Sequence, residues 1–201
     1  AEEQRGYERA SGPPDRVMTK AQDAADPIET VWEGKFIAAK RQGKWEFVSR
    51  TRGVSAAVIL AVEEGHVLLV EQPRAALGCH CLELPAGLIG DEEEGEEAEV
   101  AAIRELEEET GYRADHMVDL GRFYASPGMS SEGFTLLRAE GLTKVGDGGG
   151  TESEEITVYR VKLDDVPRFV EAKRAEGVAI DVKLLLLLAG ILLEPFGLPR
   201  D

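Results

Sequence analysis

The chain has 201 residues, of which 43% are hydrophobic, and this suits one domain with a full core and at most a small appendage. Its formal net charge of −16 excludes a strongly anionic partner, so we expect neither nucleic acid nor a membrane to bind it. An acidic protein that acts on phosphates needs a metal cation, because its own charge repels them.

The N-terminal part divides into a polar arm and a β-hairpin. Residues 1–26 carry few large apolar side chains and predict a mobile arm, with Pro13-Pro14 in place of the apolar core of a secretion signal. Residues 30–39 and 44–51 favour strands on either side of a turn at Gly43. Four aromatic residues alternate at period two and give this hairpin an aromatic face: Trp32, Phe36, Trp45 and Phe47.

Two nearly continuous apolar runs follow, at residues 54–62 and 66–72, and they predict strands covered on both faces. Arg74 comes at the end of the second run. An arginine there is usually a surface residue. If the fold brings it beside an acidic metal site, it could hold phosphate oxygens through two hydrogen bonds.

Cysteine usage indicates a reducing compartment. Cys79 and Cys81 flank His80, and no second pair of ligands completes a zinc site. Free thiols in a cytoplasmic protein are the simpler interpretation. The longest apolar run, residues 184–193, is too short to span a bilayer and predicts a buried C-terminal helix.

The centre of the chain predicts an acidic helix over residues 96–110, ended by Gly111. Apolar residues surround much of this helix, and acids on a half-buried helix are costly unless they are paired or metal-bound. The helix therefore predicts a site for Mg²⁺, with a solvated acidic face as the alternative. Three of its acids share one face, because they stand three and four residues apart: Glu105, Glu108 and Glu109.

The remaining chain alternates strands and helices. Strands are predicted at residues 117–125, 133–142 and 156–163, with a loop at 126–132. The glycine-rich residues 144–151 predict a mobile stretch. Asp164 and Asp181 are expected to cap the two C-terminal helices. Periodicity alone thus favours an α/β or α+β sandwich.

The run Arg104-Glu105-Leu106-Glu107-Glu108-Glu109-Thr110-Gly111-Tyr112, preceded by Gly87, resembles the box of the Nudix hydrolase family. That box reads Gly, Glu, then Arg-Glu-apolar-any-Glu-Glu-any-Gly-apolar, and the second half fits at every fixed position. In the first half, eight residues separate Gly87 from Glu96 where the family has five. We interpret residues 90–95 as a lengthened loop.

The resemblance implies a Nudix-type α/β/α sandwich with a mixed sheet over residues 54–201. In the ADP-ribose pyrophosphatases of this family, the N-terminal strands form a small sheet that is exchanged with a second subunit. Residues 27–53 are therefore expected to mediate a homodimer, although a hairpin packed on its own domain is the simpler alternative.

The substrate class also follows from the resemblance. Pro127 lies fifteen residues after Tyr112, like the proline that marks the ADP-ribose pyrophosphatase subgroup, and residues 126–132 resemble its Ser-Pro-Gly-any-Thr/Ser-Ser-Glu loop. Residues 71–74 are similar to its Glu-Gln-any-Arg segment. The implied reaction is hydrolysis of ADP-ribose to AMP and ribose 5-phosphate. GDP-mannose or UDP-glucose is the alternative substrate, and a non-catalytic nucleotide-binding regulatory domain ranks last.

Residue roles are carried over position by position. The resemblance implies that Mg²⁺, or Mn²⁺ in its place, binds Glu105, Glu109 and the Ala86 carbonyl, with Glu108 nearby. Glu132 is the expected catalytic base and Glu108 the alternative. Other predicted site residues are Arg74, Glu83, Pro127 and Gly128 for substrate binding, and Gly87, Arg104 and Glu96 in supporting roles, with Gly87 allowing a sharp turn and Arg104 pairing with the box glutamates.

Overall fold

The structure, a computed structural model, describes residues 26–51, 55–89, 97–151 and 154–193. The predicted arm, apart from Asp26, lies outside the described residues, and so does Glu96. Within them, no helix is long and apolar enough to cross a bilayer. Cys79 and Cys81 are both free thiols.

The N-terminal unit is a three-stranded antiparallel sheet, made of β1 (Glu29–Glu33), β2 (Ile37–Gln42) and β3 (Trp45–Arg50). The predicted hairpin is present as β2 and β3. Residues 30–39 do not form one strand, however, because the chain bends at Gly34, whose N–H donates to the Ile37 carbonyl at 2.9 Å. The bend produces β1 as an additional strand.

Ten further strands lie in the described residues, and eight of them form one mixed sheet. The ten are β4 (Ser55–Glu63), β5 (His66–Arg74), β6 (Cys79–Glu83), β7 (Ala86–Ile89), β8 (Tyr112–Arg113), β9 (His116–Tyr124), β10 (Gly133–Glu140), β11 (Thr143–Lys144), β12 (Thr157–Lys162) and β13 (Ala179–Ile180). The order of the main sheet is β13-β6-β5-β4-β10-β9, with β12 paired to β5 and β7 paired to β4. Strands β8 and β11 pair with each other.

The main sheet divides between β4 and β5. These strands pair beside their turn, through Val62 with Val67 and Glu63 with His66. Away from the turn, β4 pairs with β7 and β10, whereas β5 pairs with β6 and β12. We call this divergence the fork, and it separates the sheet into two branches.

Helices cover both faces of the sheet, which confirms the α/β/α sandwich. Helix α1 (Ala98–Thr110) contributes Leu106 to a core with Ile59 and Leu137. On the opposite face, α2 (Val166–Ala175) and α3 (Leu185–Leu193) pack over a second core that contains Val58. Because Val58 and Ile59 are consecutive strand residues, they point to opposite faces.

A glycine-rich segment closes the C-terminal end of α1. Gly111 has a φ of 74° and ends the helix as predicted. The Gly149 N–H donates to the Glu109 carbonyl at 2.8 Å, and the Gly150 N–H donates to the Glu108 carbonyl at 3.0 Å. These bonds satisfy carbonyls that a helix end leaves unpaired. The stretch predicted to be mobile is thus hydrogen-bonded to the end of α1. A Cβ on Gly148 would lie 2.4 Å from the Thr110 carbonyl carbon, so glycine serves close approach here.

The two predicted helix caps have different outcomes. The Asp181 carboxylate accepts the Lys183 N–H at 2.7 Å and caps the short 3-10 turn Val182–Leu184 that leads into α3. The cap at Asp164 is wrong, because Leu163–Asp165 form a 3-10 turn that runs into α2, and no side-chain hydrogen bond caps either one.

Candidate active site

A cleft of about 680 Å³ opens at the fork. Both branches of the sheet contribute to its walls. One branch supplies Ala56 and Val58 from β4, Ala86, Gly87 and Leu88 from β7, and Phe134 from β10; the other supplies Gln72 and Arg74 from β5 and Cys81 and Glu83 from β6. The divergence of β4 from β5 thus creates the space that a ligand would occupy.

Two of the predicted metal ligands on α1 line this cleft, Glu105 and Glu109. Glu109 is only 6% exposed, and its carboxylate accepts the Ala86 N–H at 3.1 Å. Burial raises the pKa of Glu109 from 4.5 to about 8; the Ala86 hydrogen bond opposes the shift, and the nearby charge of Glu105 adds to it. An acid in this environment ionises at neutral pH when a cation is brought to it.

Gly87 is needed for close contact with the acidic helix. It lies inside strand β7, where the predicted sharp turn is absent. A Cβ on Gly87 would lie 2.1 Å from Cγ and 2.4 Å from Cδ of Glu105. The missing side chain therefore makes the space in which the Glu105 side chain lies, and the predicted reason for this glycine is wrong.

Arg104 holds two box glutamates, as its predicted supporting role requires. Its Nη1 lies 3.1 Å from Glu105 Oε1 and 3.6 Å from Glu108 Oε2. Glu108 is exposed and lies outside the cleft lining, as does Arg104. The three acids predicted to share one face thus separate: Glu105 and Glu109 line the cleft, and Glu108 faces solvent.

Arg74 and Glu83, both predicted to bind substrate, form a two-bond ion pair. Arg74 Nε donates to Glu83 Oε1 at 2.6 Å, and Nη2 donates to Oε2 at 2.7 Å. Glu83 is only 5% exposed. The buried carboxylate thus fixes the guanidinium in the cleft wall and orients its remaining N–H groups.

The predicted base, Glu132, is held by a residue that sequence reasoning missed. Arg50 Nη2, at the end of β3, lies 2.6 Å from Glu132 Oε1, and both residues line the cleft. The backbones are also joined, because the Val48 N–H donates to the Met129 carbonyl and the Ser131 N–H donates to the Val48 carbonyl, each at 2.9 Å. The N-terminal sheet therefore supports the loop at 126–132.

Pro127 and Gly128 lie in that loop, outside the cleft lining. The Ser126 carbonyl accepts the N–H groups of Met129 at 3.0 Å and Ser130 at 2.8 Å, so the two residues form the bend of a tight turn. Their predicted contact with substrate stays a prediction.

Further cleft residues come from parts of the chain for which a site was predicted weakly or not at all. Asp181 and Lys183 lie in the cleft wall with Nζ 2.6 Å from Oδ2. Gln72 and Glu154 also line it. Gln72 belongs to the Glu-Gln-any-Arg segment, in which only the arginine is predicted to bind substrate. Glu154 belongs to an acidic segment that is similar to one near the substrate in family members, with a solvated turn as the equal alternative.

The donor set of the cleft fits a hard divalent cation. The described residues contain no preformed cluster of three His, Cys, Asp or Glu side chains. Mg²⁺ does not require one, because it usually takes one or two carboxylates and completes its shell with water and substrate phosphate. Glu105, Glu109 and the Ala86 backbone meet in the cleft wall, which is sufficient for that mode of binding.

Comparisons with known proteins indicate the family to which the chain belongs. Residues 51–182 match the NUDIX domain model. The chain is 37% identical to an ADP-ribose pyrophosphatase of Bacillus subtilis over 59% of this chain and 63% of that protein, so it spans less than two thirds of the relative's length. It is 35% identical to a GDP-mannose pyrophosphatase of Cronobacter sakazakii over 68% of this chain and 72% of that protein.

A solved structure described as an ADP compounds hydrolase has the same fold. It superposes with a TM-score of 0.59 at 22% identity and covers 85% of this chain and 94% of its own. The family model matches more than half of the chain and includes the helix that carries Glu105 and Glu109. The protein is therefore a member of the Nudix family.

Proposed function

We propose that the protein hydrolyses ADP-ribose to AMP and ribose 5-phosphate in a reaction that depends on Mg²⁺, with Mn²⁺ as a substitute. The observation that carries the proposal is one cleft lined by two acids on α1, the partly buried Glu105 and the buried Glu109, together with Arg74 and Glu132. The acids would bind a metal cation, and the arginine would bind phosphate oxygens. The cleft therefore suits a diphosphate together with a divalent cation.

The charges in the cleft support a need for metal. Among the described residues, three basic side chains line it, Arg50, Arg74 and Lys183, and each is paired with a carboxylate. A diphosphate entering this cleft would meet excess negative charge. Mg²⁺ held by Glu105, Glu109 and the Ala86 carbonyl would neutralise the diphosphate, orient it and make a water molecule more acidic.

Glu132 is the proposed catalytic base. In the structure its carboxylate is occupied by the Arg50 guanidinium at 2.6 Å. A diphosphate competes for that guanidinium, which leaves Glu132 able to accept the proton of the attacking water. The water oxygen bonds to one phosphorus, and the bridging P–O bond breaks. Glu108 is the weaker alternative, because it lies outside the cleft lining.

A related nucleotide sugar is the second candidate substrate. The similarity to a GDP-mannose pyrophosphatase extends over more of this chain than the similarity to the Bacillus subtilis ADP-ribose pyrophosphatase. Both reactions break the same diphosphate bond, so they share the catalytic residues and differ in the groups at its two ends.

The test is a substrate panel. The protein is incubated with Mg²⁺ and ADP-ribose, GDP-mannose, UDP-glucose or a diadenosine polyphosphate, and released monophosphate is measured. We expect the highest kcat/KM for ADP-ribose. Turnover of another substrate well above ADP-ribose would favour the second candidate, and no turnover of any would refute both.

The N-terminal sheet supports a further proposal, that the protein is a homodimer. Trp32, Phe36 and Trp45 are each more than half exposed, and a monomer gains little from an exposed aromatic face. We propose residues 27–53 as the dimer element, residues 54–201 as the hydrolase domain, and the reducing cytoplasm as the compartment. Native mass spectrometry should give twice the chain mass, and Trp32→Glu should lower it to one chain.

A further inference from the structure

We propose that Asp181, Lys183 and Phe134 form a subsite for the hydroxyl groups of the sugar on the far side of the diphosphate from the nucleoside. The proposal rests on the proposed function and extends it, because it names the residues that distinguish a sugar from another group at that end. All three residues line the cleft.

The pair is fixed in place from several directions. One oxygen of Asp181 accepts the Lys183 N–H at 2.7 Å, and the other lies 2.6 Å from Lys183 Nζ. The Asp181 N–H donates to the Leu82 carbonyl at 3.0 Å. The two side chains are 19% and 16% exposed, so they are largely buried yet reach the cleft. Polar groups held this rigidly lose little entropy when a ligand binds.

Phe134 adds an apolar surface beside the ion pair. Lys183 Nζ lies 5.7 Å from the centre of the Phe134 ring. Phe134 belongs to β10 on one branch of the fork, and Asp181 follows β13 on the other. The lysine therefore reaches from one branch to the other, and the three side chains meet within the cleft.

The chemistry of this set suits hydroxyl groups. An ammonium has three N–H donors and no acceptor, whereas each carboxylate oxygen can accept more than one hydrogen bond. The pair therefore offers donors and acceptors next to an aromatic ring, which matches the edges and face of a sugar. An ammonium lacks the planar fork with which a guanidinium matches two phosphate oxygens, so this subsite differs from the arginine pairs.

The location places this subsite beside the diphosphate. Leu82, which accepts the Asp181 N–H, immediately precedes Glu83, the partner of Arg74. Arg74 and Arg50 present planar guanidinium groups, which match phosphate oxygens through two hydrogen bonds. A sugar bound at Asp181 and Lys183 would thus be adjacent to a diphosphate held at Arg74.

The experiment compares two substrates that share the nucleotide and the diphosphate. ADP-ribose carries the sugar hydroxyls, and the methyl ester of ADP does not. The variants are Lys183→Met, which keeps an apolar stem beside Phe134, and Asp181→Asn, which keeps a carbonyl oxygen for the turn. Lys162→Met on β12, exposed and outside the cleft lining, is the matched control.

For the wild type we measure the ratio of kcat/KM for ADP-ribose to that for the methyl ester. Lys183→Met and Asp181→Asn should each lower this ratio about 10- to 100-fold, mainly through a higher KM for ADP-ribose, because a hydrogen bond to a charged group is lost. Lys162→Met should leave the ratio unchanged.

An unchanged ratio in Lys183→Met, with ADP-ribose still hydrolysed, would overturn the subsite alone. Equal losses on the two substrates would also overturn it, since the pair would then act on a part that both share. Wild-type protein that hydrolyses neither substrate would overturn the proposed function itself. Melting temperatures identify variants that fail to fold, and if Asp181→Asn does so, Lys183→Met decides.

Discussion

Replacing Glu109 by glutamine should abolish activity and, in the metal-free protein, increase stability. Glutamine keeps the shape of the side chain and an oxygen that can accept the Ala86 N–H. It removes the charge that burial opposes, whose cost is reflected in a pKa raised from 4.5 to about 8. In the folded protein this acid is expensive to ionise, whereas in the unfolded chain it ionises freely.

The sign and size follow from that shift. Between pH 4.5 and 8 the folded wild type keeps a proton that the unfolded chain has lost, so its free energy of unfolding falls as pH rises through this window. Each pKa unit corresponds to about 1.4 kcal/mol. The glutamine variant should therefore exceed the wild type by about 3 kcal/mol at pH 7 and about 5 kcal/mol above pH 8.

Urea denaturation in EDTA at pH 5, 7 and 8.5 measures this difference, and released AMP measures activity. Glu107→Gln is the matched control on the same helix. The Arg113 hydrogen bond lowers the pKa of Glu107 from its usual value of 4.5. Glu107→Gln removes that ionised carboxylate, so this variant should be less stable than the wild type above pH 4.5. A Glu109→Gln variant no more stable than the wild type at pH 8.5 would refute the reasoning, as would one that keeps normal Mg²⁺-dependent turnover.

Three further substitutions test individual contacts. Gly87→Ala should displace Glu105 and lower kcat at least about tenfold. Gly190→Ala is the control and should leave kcat unchanged, because a Cβ on Gly190 would meet no atom within 4 Å. A normal kcat in Gly87→Ala would contradict the close contact between Gly87 and Glu105. Gly148→Ala should lower the free energy of unfolding by about 1–3 kcal/mol, because φ is +69° and its Cβ would meet Thr110. An unchanged urea midpoint would contradict this prediction, since the glycine-rich segment would then shift away from α1 at no cost. Lys173→Met should lower the free energy of unfolding by about 1–3 kcal/mol. Lys173 Nζ lies 3.0 Å from the largely buried carboxylate of Glu71 and donates to the Tyr159 hydroxyl at 2.9 Å. Equal stability of variant and wild type in urea would refute this prediction.

Local patterns allowed much of the fold to be predicted. Helix α1 and its end at Gly111 follow from spacing within one stretch, and the paired β4 and β5 follow from apolar runs beside a turn. Errors arose where residue type was taken to fix conformation. Gly87 was expected to allow a sharp turn, yet it lies in a strand and makes space for Glu105. Gly34 divided a run that appeared to be a single strand.

The candidate site was predictable only where its residues belong to the box or to the segments around it. Arg50 meets Glu132 across a separation of 82 residues, and no local pattern marks such a pair. Lys183 reaches Phe134 because α3 is folded over the sheet, which depends on the second core rather than on sequence near either residue. Tertiary packing therefore decides which charged residues join the acidic helix.

The limits of the family match carry a practical consequence. The match begins at residue 51 and ends at residue 182, so Arg50 and Lys183 are the residues immediately outside it on either side. A protein trimmed to those limits would keep every acid of the Nudix box but lose two of the three basic side chains that the described part of the chain places in the cleft wall. It would also lose Val48, whose backbone supports the loop that carries Glu132. We therefore expect an active fragment to need both flanks.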